Sequence, residues 1–290
     1  MSSLDDELAA AGLDPAAVLA QIRAALAEDL PAGDVTSIAT ISDEARGAGV
    51  FAAREEGVVA GLGVAAMVFH EVMGDAVTIT DRVPDGQRVA VGDVVMRVAG
   101  PTRGLLTAER TALNYASHLS GVATATARWV EALAGTNARV LDTRKTLPTY
   151  RALQKYAVRC GGGVNHRFSL SDRAMVKDNH VVAAGGVVPA FEAVRATYPD
   201  LRVEVEVADL DQLRELLAAG CTEILLDNMD TAAMAEAVRI TAGRAVLEAS
   251  GGLTLERARE VAETGVDFIS VGALTHSVPV FDLGLDLDED

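Results

Sequence analysis

Arg144, Lys145, Lys177, Glu206, Asp227, Ser250 and Gly272 could do chemistry together, because each lies near the end of a short apolar run. The runs are VLDTRK (140–145), AMVKDNH (174–180), VEVEV (203–207), EILLDN (223–228), AVLEASGG (245–252) and FISVGA (268–273). Arginine grips a planar carboxylate through two parallel hydrogen bonds, and lysine meets a phosphate as a point charge. Glutamate and aspartate at neighbouring run ends offer only oxygen. That suits Mg2+, which keeps several waters and shares its shell with substrate phosphates. Small residues such as Ser250, Gly251, Gly252 and Gly272 let backbone N–H groups approach a phosphate.

A second concentration of chemistry is NHRFSLSDRAMVKDNH (165–180), with two histidines, two arginines and one lysine around a short apolar run. His166 and Arg167 precede the run and Lys177 closes it. The segment lacks the i,i+4 histidine pair of a helical zinc site, which argues against zinc. His276, in SVGALTHS, could add one donor more.

These cations stand against the sign of the whole chain. The formal charge is −17 over 290 residues, which argues against nucleic acid as a partner. The acidic tail DLDED (286–290) fits a solvated acidic surface. Basic residues nevertheless gather between 139 and 177, including Arg144, Lys145, Arg151, Lys155, Arg159, Arg167, Arg173 and Lys177. A positive pocket in an acidic protein points to an anionic small molecule.

The elements that must position these groups follow from period and length. Runs this short, rich in Val, Ile and Leu, read as strands, and helix-length amphipathic segments separate most of them. That alternation is the rhythm of an α/β barrel, whose catalytic groups sit at the carboxyl ends of its strands. In VEVEV the valines face one side, while Glu204 and Glu206 face the other, the barrel interior. Asp209, Asp230 and Thr254 are expected N-caps, and Pro148 suits the first turn of a helix. Upstream, residues 4–29 read as helices, 28–36 as a turn-rich break, and 47–101 as short strands around a helix at 62–72. Residues 105–133 read as one or two helices, with Gly121 the only break. The expected division is an N-terminal α/β sandwich-like domain over 1–116, rejoined by 276–290, and an incomplete α/β barrel over 117–275.

Half of the residues are hydrophobic, so a substantial core is possible, yet no apolar run is long enough to span a membrane. The acidic start, MSSLDDELAAAGLD, is unlike a secretory signal and points to the cytoplasm. Two cysteines, Cys160 and Cys221, without a CxxC or CxxH partner, suggest neither a disulfide framework nor a metal.

In this order, the motifs resemble the quinolinate phosphoribosyltransferase family over nearly the whole chain. They are EDLPAGDVTS (28–37), TAERTALNYASHLSGVAT (107–124), DTRKT (142–146), GGGVNHR (161–167), MVKDNH, VEVEV, LLDN, EASGG and SVGALTHS, with no departure at the positions that matter. The resemblance implies transfer of phosphoribose from phosphoribosyl pyrophosphate to quinolinate with loss of CO2. The product is nicotinate mononucleotide, a precursor of NAD. It further implies a homodimer, or a multiple of one, whose subunits share active sites. Quinolinate's carboxylates would meet Arg144, His166, Arg167 and Lys177, with Arg110 reaching in from the partner subunit, and Thr143 would also bind substrate. Lys145, Glu206, Asp227, Ser250, Gly251, Gly272 and His276 would hold phosphoribosyl pyrophosphate and its Mg2+. Within that set Lys145, Lys177, Glu206 and Asp227 carry the catalytic role, and Glu206 and Asp227 hold the metal, directly or through water.

Two other classes are weaker. A barrel aldolase or decarboxylase would use Lys145 or Lys177 as a Schiff-base nucleophile. A biotinyl or lipoyl carrier is suggested by the DGQRVAVGD turns, but residues 85–101 contain no lysine to modify.

Overall fold

The computed structural model describes residues 2–288; Met1 and the last two residues of the acidic tail, Glu289 and Asp290, lie outside the described residues. The chain forms two compact units, one of residues 1–125, 152–162 and 277–290, the other of residues 126–151 and 163–276. The architecture is mixed α/β, an antiparallel sheet in the first unit and a six-stranded parallel sheet in the second. No helix among the described residues is long and apolar enough to cross a membrane.

The first unit is built on strands β1 (Arg46–Ala53), β2 (Gly57–Val58), β3 (Thr78–Thr80), β4 (Arg88–Val89) and β5 (Val94–Pro101). Its main sheet runs from the C-terminal strand Leu283–Leu287 through β1 and β5 to β3, all antiparallel. Phe51 of β1 is fully buried and meets Phe69 of helix Leu62–Met73 edge-on, with ring centroids 5.7 Å apart. The Asp85 carboxylate accepts the Gly61 and Leu62 N–H groups at the start of that helix, at 2.7 and 3.1 Å. Thr102–Ala132 is one unbroken helix. Gly121 does not interrupt it; a Cβ there would lie 2.2 Å from the Pro279 carbonyl oxygen, so the glycine serves a close approach of two chain segments.

All six apolar runs are strands of the second unit: β6 (Arg139–Leu141), β7 (Ala174–Val176), β8 (Val203–Val207), β9 (Glu223–Asp227), β10 (Val246–Ser250) and β11 (Phe268–Ser270). They pair in parallel in the order β6-β11-β10-β9-β8-β7 and leave β6 and β7 at the edges, the incomplete barrel expected from the sequence. Val203, Val205 and Val207 are buried, and β8 packs on helices Val187–Thr197 and Leu210–Ala218. Asp209 and Asp230 cap their helices as expected, accepting N–H groups from Asp211 and Gln212, and from Ala233.

Two local expectations need correction, and one short helix is added. Thr254 makes no side-chain cap bond, because the chain enters a 3-10 turn at Leu255–Arg257 before its helix. Pro148 precedes its helix, Arg151–Cys160, by a turn closed by Tyr150 N–H on the Leu147 carbonyl. A short helix, Asp178–Ala184, follows Lys177 directly; its apolar stretch is too brief to show a period.

Candidate active site

A cavity of about 580 Å3 lies at the carboxyl ends of the parallel strands. After β6, the turn that follows contributes Thr143, Arg144 and Lys145; His166 and Arg167 come from the loop before β7, and Lys177 from the residue after it. Strands β8 and β9 add Glu206 and Asp227, and the end of β10 adds Ser250 and Gly251. Parallel pairing sets Ser250 beside Asp227, which puts these two groups at one level of the barrel.

The remaining sequence-predicted residues stand off the lining. A Cβ at Gly272 would come 2.7 Å from Lys145 Cδ, 3.4 Å from His276 Nε2 and 3.5 Å from Thr143 Oγ1. Gly272 is therefore where the Lys145 stem crosses the backbone, with His276 beside it. Arg110 is exposed on helix Thr102–Ala132 of the first unit and does not line the cavity.

The cations are held in positions that an anion would relieve. Thr143 Oγ1 accepts the Lys145 N–H at 3.0 Å, and the Thr275 hydroxyl donates to the Lys145 carbonyl at 2.8 Å, so the DTRKT turn is fixed at both sides of its cations. Arg144 Nε is buried without a hydrogen-bond partner. Burial first, and then the neighbouring Arg144, hold the Arg167 guanidinium below the usual arginine range. Two guanidiniums crowded together with one N–H unmatched are costly without a counter-charge.

The acids are arranged differently. Lys177 Nζ donates to Glu206 Oε2 at 2.9 Å, and Asn228 Nδ2 donates to Asp227 Oδ2 at 2.9 Å. Each carboxylate thus keeps one oxygen without a protein hydrogen bond, on adjacent strands, with no nitrogen or sulfur donor in the pair. Such a donor set fits Mg2+ with a mostly aqueous shell. At the β10 end, Gly251 has φ +97°, and a Cβ there would meet Asn228 Oδ1 at 2.2 Å. Only glycine satisfies both the left-handed backbone and that space.

Beneath this rim the interior is ionic rather than aliphatic. His166 Nε2 lies 2.9 Å from Glu204 Oε2 and 3.3 Å from Glu248 Oε2, and all three residues are buried. Arg173 Nη2 is 3.2 Å from the other Glu204 oxygen and also pairs with Glu223, which in turn binds Arg202. His166, Glu204 and Glu248 are the one trio among the described residues whose ligand atoms gather within 4.8 Å. We assign no metal there, because the imidazole and Arg173 already answer those carboxylates. Burial disfavours a charged imidazole, while the Glu204 and Glu248 carboxylates facing the ring act the other way. Burial, the largest influence on Glu204, raises that carboxyl. The Arg167 N–H approaches Nδ1 at 2.7 Å and opposes a second proton there, so the proton secured by the carboxylates is the one on Nε2.

Both ring nitrogens of His166 are engaged within the protein, and the residue also lines the cavity.

Five lining residues were not singled out in the sequence: Met175, Leu225, Asn228, Glu248 and Ser270. The strand period carried a signal for Glu248, two residues before Ser250 on the same face, as it did for Leu225 two before Asp227. Asn228 had no such signal; its role depends on a left-handed backbone, φ +52°, that sets its amide against Asp227.

Comparison with known proteins gives a consistent picture. Residues 34–120 match the family described as quinolinate phosphoribosyl transferase, N-terminal domain, and residues 122–286 match its C-terminal domain. The chain is 53% identical over 271 residues to the nicotinate-nucleotide pyrophosphorylase [carboxylating] of Mycobacterium leprae, covering 92% of this chain and 95% of the relative. It is 39% identical to the probable enzyme of that name from Bacillus subtilis, with 90% of each covered. Among solved structures, the nicotinate-nucleotide pyrophosphorylase of Francisella tularensis aligns with a TM-score of 0.90 at 38% identity, covering 94% of this chain and 96% of that one. NadC from Streptococcus pyogenes aligns with a TM-score of 0.92 at 41% identity, covering 95% and 98%.

Proposed function

This chain belongs to the quinolinate phosphoribosyltransferase family, and from that premise we propose how its cavity works on the two substrates. The activity is that of a carboxylating nicotinate-nucleotide pyrophosphorylase in de novo NAD biosynthesis. Quinolinate and phosphoribosyl pyrophosphate are both anions and repel each other until cations screen them. Arg144 and Arg167 receive the quinolinate carboxylates, and the unmatched Arg144 Nε is the observation that carries this assignment. Lys145, the Gly251 turn, and Gly272 with His276 beside it form the phosphate side. Met175 and Leu225 offer an apolar surface to the pyridine ring.

Reaction then forms a bond between the pyridine nitrogen and C1 of the ribose, while the bond from C1 to the pyrophosphate oxygen breaks. Mg2+ held by Glu206 and Asp227 would supply charge stabilisation for the departing pyrophosphate. Lys145 adds a fixed positive charge on that same side. Glu206 and Asp227 also favour the positive charge that builds on the ribose ring, directly or by holding its hydroxyls. The ring nitrogen is cationic after bond formation. The adjacent carboxylate leaves as CO2, because the electron pair it leaves behind sits beside N+, and that carbon then takes a proton. Lys177 is paired with Glu206, which occupies the amine and disfavours a Schiff-base role.

We further propose a homodimer, or a multiple of one, in which Arg110 enters the site from the partner subunit. The activity itself is tested by release of CO2 and pyrophosphate from quinolinate plus phosphoribosyl pyrophosphate, with nicotinate as the negative control. No release would end the reading. Asp227→Asn is expected to lower metal-dependent turnover by about 10²–10³, the typical loss of one electrostatic contact to developing charge. Full wild-type activity in the presence of a chelator would take Asp227 and Glu206 out of their metal roles.

A further inference from the structure

A barrel interior is ordinarily filled by branched aliphatic side chains. Here the cavity floor and the layer beneath it hold Glu204, Glu223, Glu248, Arg173 and His166, four of them buried and Arg173 nearly so. Buried ion pairs rarely stabilise more than apolar packing of the same volume. Their geometry shows what they fix instead. The His166 backbone N–H donates to Asp142 Oδ1 at 2.8 Å, its Nε2 faces Glu204 and Glu248, and its Nδ1 accepts the Arg167 N–H. Arg167 Nη1 donates to the Arg173 carbonyl at 3.1 Å, and Arg173 is itself tied to Glu204 and Glu223. Arg167 is therefore gripped twice: at its own N–H by the His166 ring, and at its guanidinium by the backbone of Arg173. It needs such a grip. The nearby positive charge of Arg144 repels it, and an unrestrained side chain of this length would turn to solvent.

We propose that Glu204 and Glu248 are positioning residues for quinolinate: through His166 and Arg173 they hold the Arg167 guanidinium at the cavity. This inference rests on the reading of Arg167 as a carboxylate contact. Neither glutamate is required to touch the substrate, and His166 acts through Arg167 rather than by offering a ring N–H to the ligand. Glu248 is the better probe, because Glu204 lies two residues from Glu206.

The test compares Glu248→Ala with Glu248→Gln in the full-length protein. A glutamine oxygen still faces Nε2; alanine leaves Glu204 to hold the ring alone. For Glu248→Ala, the KM for quinolinate and its calorimetric Kd are expected to rise about tenfold or more, with the KM for phosphoribosyl pyrophosphate within about twofold of wild type. Glu248→Gln is expected to restore both quinolinate values to within about threefold. A change shared equally by the two substrates, an unchanged quinolinate KM in the alanine variant, or equal losses in both variants would overturn the proposal. Should Glu248→Ala fail to fold, Glu248→Asp, one methylene short of the imidazole, must show the same substrate-selective split, and its absence would also overturn it. Wild-type release of CO2 and pyrophosphate, measured in parallel, separates the two readings: an inactive wild type defeats the proposed function, whereas an active one without the split defeats only this inference.

Discussion

Arg144→Ala raises the KM for quinolinate roughly 10- to 100-fold, the range expected for losing hydrogen bonds to a charged group, and leaves the KM for phosphoribosyl pyrophosphate within about threefold. The selectivity is the informative part. Arg144 lies in a turn whose neighbour, Lys145, faces Gly272 and Thr143, so the two adjacent cations serve different ends of the cavity. Loss of affinity should come without loss of fold. Arg144 Nε has no partner to lose, and removing its charge lifts a repulsion from Arg167. The Tm of the unliganded variant is therefore expected to equal or exceed that of wild type. Arg144→Lys should recover only part of the affinity, since an ammonium keeps the charge but not the planar fork. Steady-state kinetics with each substrate varied in turn, together with calorimetric unfolding, checks all three statements. Equal rises in both KM values would contradict a carboxylate role for Arg144.

Much of this arrangement was legible in the sequence because barrel chemistry is tied to strand ends. The six apolar runs became the six parallel strands, and residues at or just after the ends of all six line one cavity. VEVEV was informative because its alternation sends Glu204 and Glu206 to the interior, one beneath the other. The same alternation hid a difference: Glu204 sits deep, against His166 and Arg173, while Glu206 meets Lys177 at the rim. No local pattern separates a floor glutamate from a rim glutamate, since depth depends on how far neighbouring strands extend. His166 was legible as part of a cluster but not as a residue whose two nitrogens turn to the protein; that depends on Glu248, far away in sequence. Gly121 read as a break because a helix normally disfavours glycine. Its reason, the Pro279 carbonyl pressed against it, is tertiary. Capping followed local rules at Asp209 and Asp230 and failed at Thr254, where a 3-10 turn displaced the cap geometry.

The second large effect concerns Arg110, a predicted substrate contact that does not line the cavity. Arg110→Ala and Lys177→Ala, each inactive or nearly so alone, are expected to regain activity when unfolded together and reassembled. The argument is combinatorial. In a mixed dimer with shared sites, the barrel of the Arg110→Ala subunit keeps its own Lys177 and receives an intact Arg110 from its partner. The other site carries both lesions. Each mixed dimer thus has one whole site of two, and random reassembly makes about half the dimers mixed, so recovery approaches about a quarter of wild-type activity. Self-contained sites predict none, because every barrel would still carry one lesion. Differently tagged subunits, purified as verified mixed dimers, raise the expected value to about half and remove the reassembly statistics from the test. No recovery in such dimers would argue that Arg110 acts within its own chain or not at all. Recovery would mean that the acidic protein builds its cationic pocket from two copies, so that dilution below the dimer dissociation constant switches off catalysis without unfolding the barrel.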